Sequence, residues 1–278
     1  MNSLVKNIIY KFLIIFYCYQ FALSLVYNGV PETRTSITVD QSGKGNFTKV
    51  QDAINFIPAN NSHWIRVHIR AGIYNEKVII PREKPFIVLE GDGRRKTIIQ
   101  ASDGGTFFQS TTFSLLAANF VARNITFKNI RDHKSDFIWA PAAVITGDKA
   151  AFYECGFISL QDTLTDNLGR HYFESCYIQG AVDFIWGDGQ SIYQKCTINV
   201  TYDLTRTSEV GYITAQARHS ANSQSGFVFI RCIILGTARQ TYLGRAYTQY
   251  SRVLFYNSTL GQVITPEGWS AWSYIGRE

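Results

Sequence analysis

No stretch rich in Pro, Gly or Ser divides the 278 residues, which argues for one domain rather than two. Charge is scarce. Asp, Glu, Lys and Arg make up 17% of the chain against 46% hydrophobic residues, a balance that excludes a disordered chain and suits a packed core. No Cys-x-x-Cys or His-x-x-x-His spacing occurs, so no metal site is expected. No basic cluster joins an RNA- or DNA-binding motif, which leaves nucleic acid a poor partner. No Gly-x-Ser-x-Gly turn is present, so a serine esterase is excluded.

A hydrophobic run is present near the start. Lys6 and Lys11 precede an apolar stretch over 12–19, and Ala22-Leu23-Ser24 resembles a small-residue cleavage site. The run is too short to span a bilayer, so residues 1–24 read as a secretory signal and 25–278 as a mature chain without a membrane span. Secretion leaves Cys155, Cys176, Cys196 and Cys232, enough for two disulfides or for four buried thiols. Asn-x-Ser/Thr sequons at Asn46, Asn60, Asn124, Asn199 and Asn257 are compatible with a glycosylated, exported protein. The net charge of +6, or +4 once Lys6 and Lys11 are removed, would draw such a protein to polyanions.

Six segments resemble one another: 119–127, 151–158, 171–178, 191–198, 227–234 and 252–260. Each is rich in aromatic and β-branched residues. Aligned, they put Asn124, Cys155, Cys176, Cys196, Cys232 and Asn257 in one column. A unit of about 20 residues with variable insertions predicts a β-solenoid, in which stacked coils bury what one coil cannot. An antiparallel sandwich is disfavoured, because tight Asn-Gly hairpin turns are scarce. One helix is expected over 46–57, with Val50, Ala53, Ile54 and Ile57 on a single stripe and Pro58 ending it. It is expected to cover the open end of the first coil.

Asp162 and Asp183 lie 21 residues apart, each seven residues after Cys155 or Cys176. A repeat of that length sets the two aspartates on adjacent coils, about 4.8 Å apart along the stack. Two such carboxylates cannot both ionise freely, and the pair divides into an acid and an anion. Gln161 could donate its amide to a developing oxyanion. Arg245 could keep one aspartate ionised, and Tyr247 could stack on a sugar ring. His171 reads as a packed or turn histidine.

Several ordered motifs now resemble one family. Gln161-Asp162-Thr163-Leu164, Gly180-Ala181-Val182-Asp183-Phe184-Ile185-Trp186-Gly187 and Leu243-Gly244-Arg245-Ala246-Tyr247 are similar to motifs of plant pectinesterases (pectin methylesterases). Gly72-Ile73-Tyr74-Asn75-Glu76 and the stretch from Val39 to Phe47 add to the likeness, which covers the chain from about Ile37 onward. The resemblance implies an all-β, right-handed parallel β-helix that hydrolyses methyl esters of polygalacturonate and releases methanol. It implies Asp183 as nucleophile, Asp162 as acid and then base, and Gln161 as oxyanion donor. Arg245 would orient Asp183, and Tyr247 would contact sugar. It further implies no cofactor, a monomer in the cell wall, homogalacturonan as substrate and a proteinaceous inhibitor as a further partner.

The pattern departs in places. Trp139 stands where the family has a second oxyanion Gln, Trp186 where it has Phe, and Tyr247 where it has Trp. The chain resembles the short class without a pro-region, and Glu278 falls several tens of residues before the family's usual end, which predicts a truncated C-terminus and lowered stability. Trp139 and that end motivate a second reading, a pectin-binding homologue with weak or no catalysis. A third is a β-solenoid pectin glycoside hydrolase, since a close carboxylate pair alone fits a retaining glycosidase. Gln161 and the ordered motifs favour the esterase.

Overall fold

The computed structural model describes residues 33, 35–103, 106–131, 139–201, 210–237 and 240–276. The proposed signal, 1–24, lies outside them. Among the described residues every strand pair is parallel, and the strands form three sheets. The first sheet runs through nine strands, from Thr35–Val39 to Val253–Tyr256. The second has eight, from Gly72–Asn75 to Thr259–Leu260, and the third has eight, from Val78–Ile80 to Trp269–Ser270. Each coil adds one strand to each sheet in turn, which makes the fold a right-handed parallel β-helix. The sandwich is excluded, because its strands would alternate in direction.

The interior is a ladder of like residues. Phe152, Phe173, Tyr193, Phe229 and Phe255 stack on consecutive coils, with centroids 4.4–5.0 Å apart and planes within 14°. Parallel in-register pairing imposes this, because equivalent side chains sit one strand spacing apart. Each fully buried ring contributes about 1.5–3 kcal/mol of transfer energy, more than a single coil could gain alone.

Each of the six similar segments is a pair of short strands around a corner, one strand in the first sheet and one in the second. The register places Cys155, Cys176, Cys196 and Cys232 in one buried column, as the spacing predicts. All four are free thiols. Asn124 and Asn257 are one residue out of that column. They belong instead to the corner position, with Glu154, Ser175, Lys195 and Arg231, where every φ lies between 47° and 58°. Asn tolerates this left-handed conformation better than most residues, yet the corner accepts any side chain that points to solvent.

The expected helix forms as Val50–Phe56, and Val50, Ala53, Ile54 and Ile57 join the main core. It packs on Thr35–Val39, Ile65–Ile69 and Val78–Ile80. Its cap comes from a distant residue. Lys49 at the N-cap makes no side-chain bond, and the Glu76 carboxylate accepts from Val50 N at 2.8 Å and Gln51 N at 2.9 Å. The Gly-x-Tyr-x-Glu motif is thus structural, and Tyr74 donates to the Arg70 carbonyl at 3.0 Å. A second helix, the single turn Phe107–Ser110, was not expected; four residues are too few for a periodic pattern.

Candidate active site

The third sheet carries the site. Asp162 precedes the strand Leu164–Asp166, and Asp183 lies within Val182–Gly187. Gln161 bridges to Val182 and Leu164 pairs with Ile185, so the 21-residue offset holds on both sides of the aspartates. On the next coil the register slips between Val182 and Ile185, leaving one extra residue in the Asp183 strand. This is a β-bulge, a device that re-aims a side chain. Asp162 and Asp183 both have left-handed backbone, φ 52° and 49°. Asp is among the few residues that accept this conformation, and such strain gathers at functional sites. Gly180 makes room for the kink: a Cβ there would lie 2.1 Å from Phe184 Cβ.

The two carboxylates differ in their surroundings. Arg245 donates Nε to Asp183 Oδ1 at 2.8 Å and Nη2 to Oδ2, a bidentate fork. It reaches Asp183 from two coils further along, and the register column reads Thr165, Trp186, Ala215, Arg245. Ala215 leaves space between the two large side chains. Gly244 allows the coils to close, since a Cβ there would meet Thr214 Oγ1 at 2.0 Å. Burial raises the Asp183 carboxyl above its ordinary range, and the Arg245 fork and charge pull it back. Asp162 has no such partner among the described residues. Burial, and then the charge of Asp183, push it up to about 8, with Arg245 lowering it only in part. At neutral pH Asp162 is therefore an acid holding its proton beside an anchored carboxylate. The Gln161 amide makes no hydrogen bond to a described residue, so its donors remain available.

Tyr247 is more than a third exposed and meets Trp186 edge-on at 5.6 Å. It also stacks on Trp272 at 5.8 Å, a residue that sequence reasoning missed as part of the site. Trp272 and Tyr212 cover the Arg245 guanidinium at 4.2 Å and 4.8 Å from their ring centroids. Their contacts join adjacent coils through residues about 30 positions apart in sequence, and no local spacing could have signalled them. Trp139 is half exposed and lies edge-on to Phe107 at 6.2 Å, and Phe107 meets Trp186 at 5.9 Å. The indole of Trp139 thus belongs to an aromatic wall. His171 is a packed residue: Nδ1 faces Asp166 Oδ1 at 2.5 Å, Nε2 faces the Gly147 carbonyl at 3.0 Å, and Tyr193 donates to Asp166 at 2.6 Å. No group of three or more His, Cys, Asp or Glu among the described residues is placed to hold a metal. No helix among them is long and apolar enough to cross a membrane.

A buried acid thus stands beside an Arg-anchored carboxylate on the third sheet of a parallel β-helix. The pectinesterase family model matches residues 36–276. The chain is 51% identical over 249 residues to probable pectinesterase 55 of Arabidopsis thaliana, covering 87% of this chain and 75% of that protein. Pectin methylesterase from carrot superposes with a TM-score of 0.81 at 32% identity, over 87% of this chain and 78% of that one. A pectin methylesterase in complex with a hexasaccharide superposes at 0.74 with 25% identity, over 84% and 80%. The chain belongs to the pectinesterase family. Its activity is carboxylic ester hydrolysis, the demethylesterification of pectin.

Proposed function

We propose that Asp183 is the nucleophile and Asp162 the proton carrier in removing methyl esters from polygalacturonate. Asp183 attacks the ester carbonyl carbon, and Gln161 donates to the oxygen that becomes negative. The bond to the methoxy oxygen breaks as Asp162 gives up its proton, and methanol leaves. An acyl-Asp183 intermediate remains. Asp162, now ionised, takes a proton from water as the hydroxide adds to the acyl carbon. The bond to Asp183 breaks, the galacturonic acid departs, and both aspartates return to their starting states. Arg245 holds Asp183 ionised and oriented, and Tyr247 offers a face to the sugar.

The observation that carries this reading is the asymmetry of the pair. Arg245 anchors Asp183 in a bidentate fork, while Asp162 sits at about 8 with no cation of its own. A retaining glycosidase would also use two carboxylates, but the free Gln161 amide beside the acid suits an acyl oxyanion. Methanol release from highly methylated pectin is the test. Asp183→Ala is expected to lower it by roughly 10⁴-fold or more. Equal release by wild type and variant would refute the assignment. The export signal over 1–24, the sequons and the family resemblance support action in the cell wall as a secreted, glycosylated monomer, with a proteinaceous inhibitor as a further partner.

A further inference from the structure

We infer that Tyr212 and Trp272 are positioning residues that clamp the Arg245 guanidinium between two aromatic faces, so that its fork stays on Asp183. This rests on the reading of Asp183 as nucleophile. A guanidinium offers planar fork edges and two faces. Asp183 takes the Nε/Nη2 edge. Tyr212, on the preceding coil, lies 4.8 Å from the Arg245 Cζ, and Trp272, on the following coil, lies 4.2 Å away. Each ring is itself supported. Tyr212 stacks on Tyr242 with centroids 5.6 Å apart and planes 11° from parallel, and Trp272 stacks on Tyr247 at 24°. Trp272 also holds a φ of 48°, which a bulky residue rarely adopts unless its surroundings over-determine it.

An arginine on a flexible stem loses its pairing geometry more easily than its charge. Aromatic faces restrict rotation of the guanidinium plane and keep water off it. The titratable groups facing Asp183 are Asp162 from the coil before, which holds its proton, and Arg245 from two coils on, with Tyr212 the titratable side chain of the coil between. Arg245 is the one that favours the ionised form. A loosened fork therefore leaves more Asp183 protonated at any given pH.

The test is the pH dependence of kcat/KM for methanol release by Trp272→Leu, Trp272→Phe, Tyr212→Leu and Tyr212→Phe, each with a thermal melt. Both Leu variants are expected to move the acid limb upward by about 0.5–1 pH, a 3- to 10-fold loss below it that recovers at higher pH. The Phe variants, which keep a face, return the limb toward wild type. Leu variants that raise KM and leave the acid limb in place would overturn the clamp and make the rings sugar contacts alone. Tyr212 and Trp272 lie on different coils, so a folding defect in one leaves the other to decide. Activity retained by Asp183→Ala overturns the underlying nucleophile assignment; Asp183→Ala inactive with an unmoved limb in the Leu variants overturns the clamp alone.

Discussion

Replacing Asp162 with Asn separates what the acid does for catalysis from what it costs the fold. In the folded protein its carboxyl titrates near 8, against 3.8 in an unfolded chain, with burial the larger cause and Asp183 the second. The folded state therefore binds this proton more tightly than the unfolded state does. The associated stability is fully present below pH 3.8 and is lost as pH rises toward 8. By pH 7 the loss has a ceiling on the order of 4 kcal/mol, at about 1.4 kcal/mol for each tenfold fall in proton activity. Water in the groove screens part of it, so Asp162→Asn is expected to gain about 1–3 kcal/mol at pH 7–8 and almost nothing near pH 4. For a domain of this size that is roughly 2–10 °C in Tm. Scanning calorimetry of both proteins from pH 4 to 8 reads the difference, and methanol release reads the loss of acid catalysis, about 100-fold or more. A Tm difference that stays flat with pH, or that favours wild type at pH 8, would refute the account of Asp162 as a buried acid held neutral.

Two further substitutions probe separate parts of the structure. Gln161→Ala is expected to lower kcat by about 100- to 1000-fold with little change in KM, since its amide acts on the oxyanion; initial rates across pectin concentrations decide this, and a pure KM effect would reassign Gln161 to substrate binding. Glu76→Ala removes the acceptor of two helix amides and is expected to cost about 1–2 kcal/mol, roughly 2–8 °C in Tm, at unchanged kcat/KM for the folded fraction. An unchanged melting temperature would show that Glu76 does not cap the helix in solution.

The repeat was legible because in-register stacking leaves a trace in sequence. Cys155 and Cys176 keep the same offset as Asp162 and Asp183, and the ladders bear that out. Phase was less legible. Asn124 and Asn257 lie one position off the Cys column because the corner asks only for a left-handed backbone, which Glu154, Lys195 and Arg231 adopt without any chemical signature. Arg245 pairs with Asp183, which lies one coil beyond Gln161 and Asp162, and Tyr247 lies two residues past the Arg245 strand. Tyr212 and Trp272 stayed hidden, since their contacts to Arg245 join residues 27–33 positions apart. Glu76 was visible as a motif residue, but its partners lie 25–26 residues earlier, so only the folded chain discloses its role.

The stacking of coils makes the interval between Asp162 and Asp183 a lattice constant. Asp162 and Asp183 stand one hydrogen-bonded repeat apart, and that period belongs to the backbone, common to every coil whatever its side chains. The corner that joins the second sheet to the third is correspondingly elastic in length. It takes one residue between Gly180 and Val182, five between Ile158 and Leu164, and ten between Val200 and Gly211, while the parallel register continues on either side. Gln161 and Asp162 belong to the five-residue crossing, next to the Leu164 register. The spacing of Asp162 and Asp183 is set by the bridge of Gln161 to Val182 and the pairing of Leu164 with Ile185, whatever the length of the other crossings.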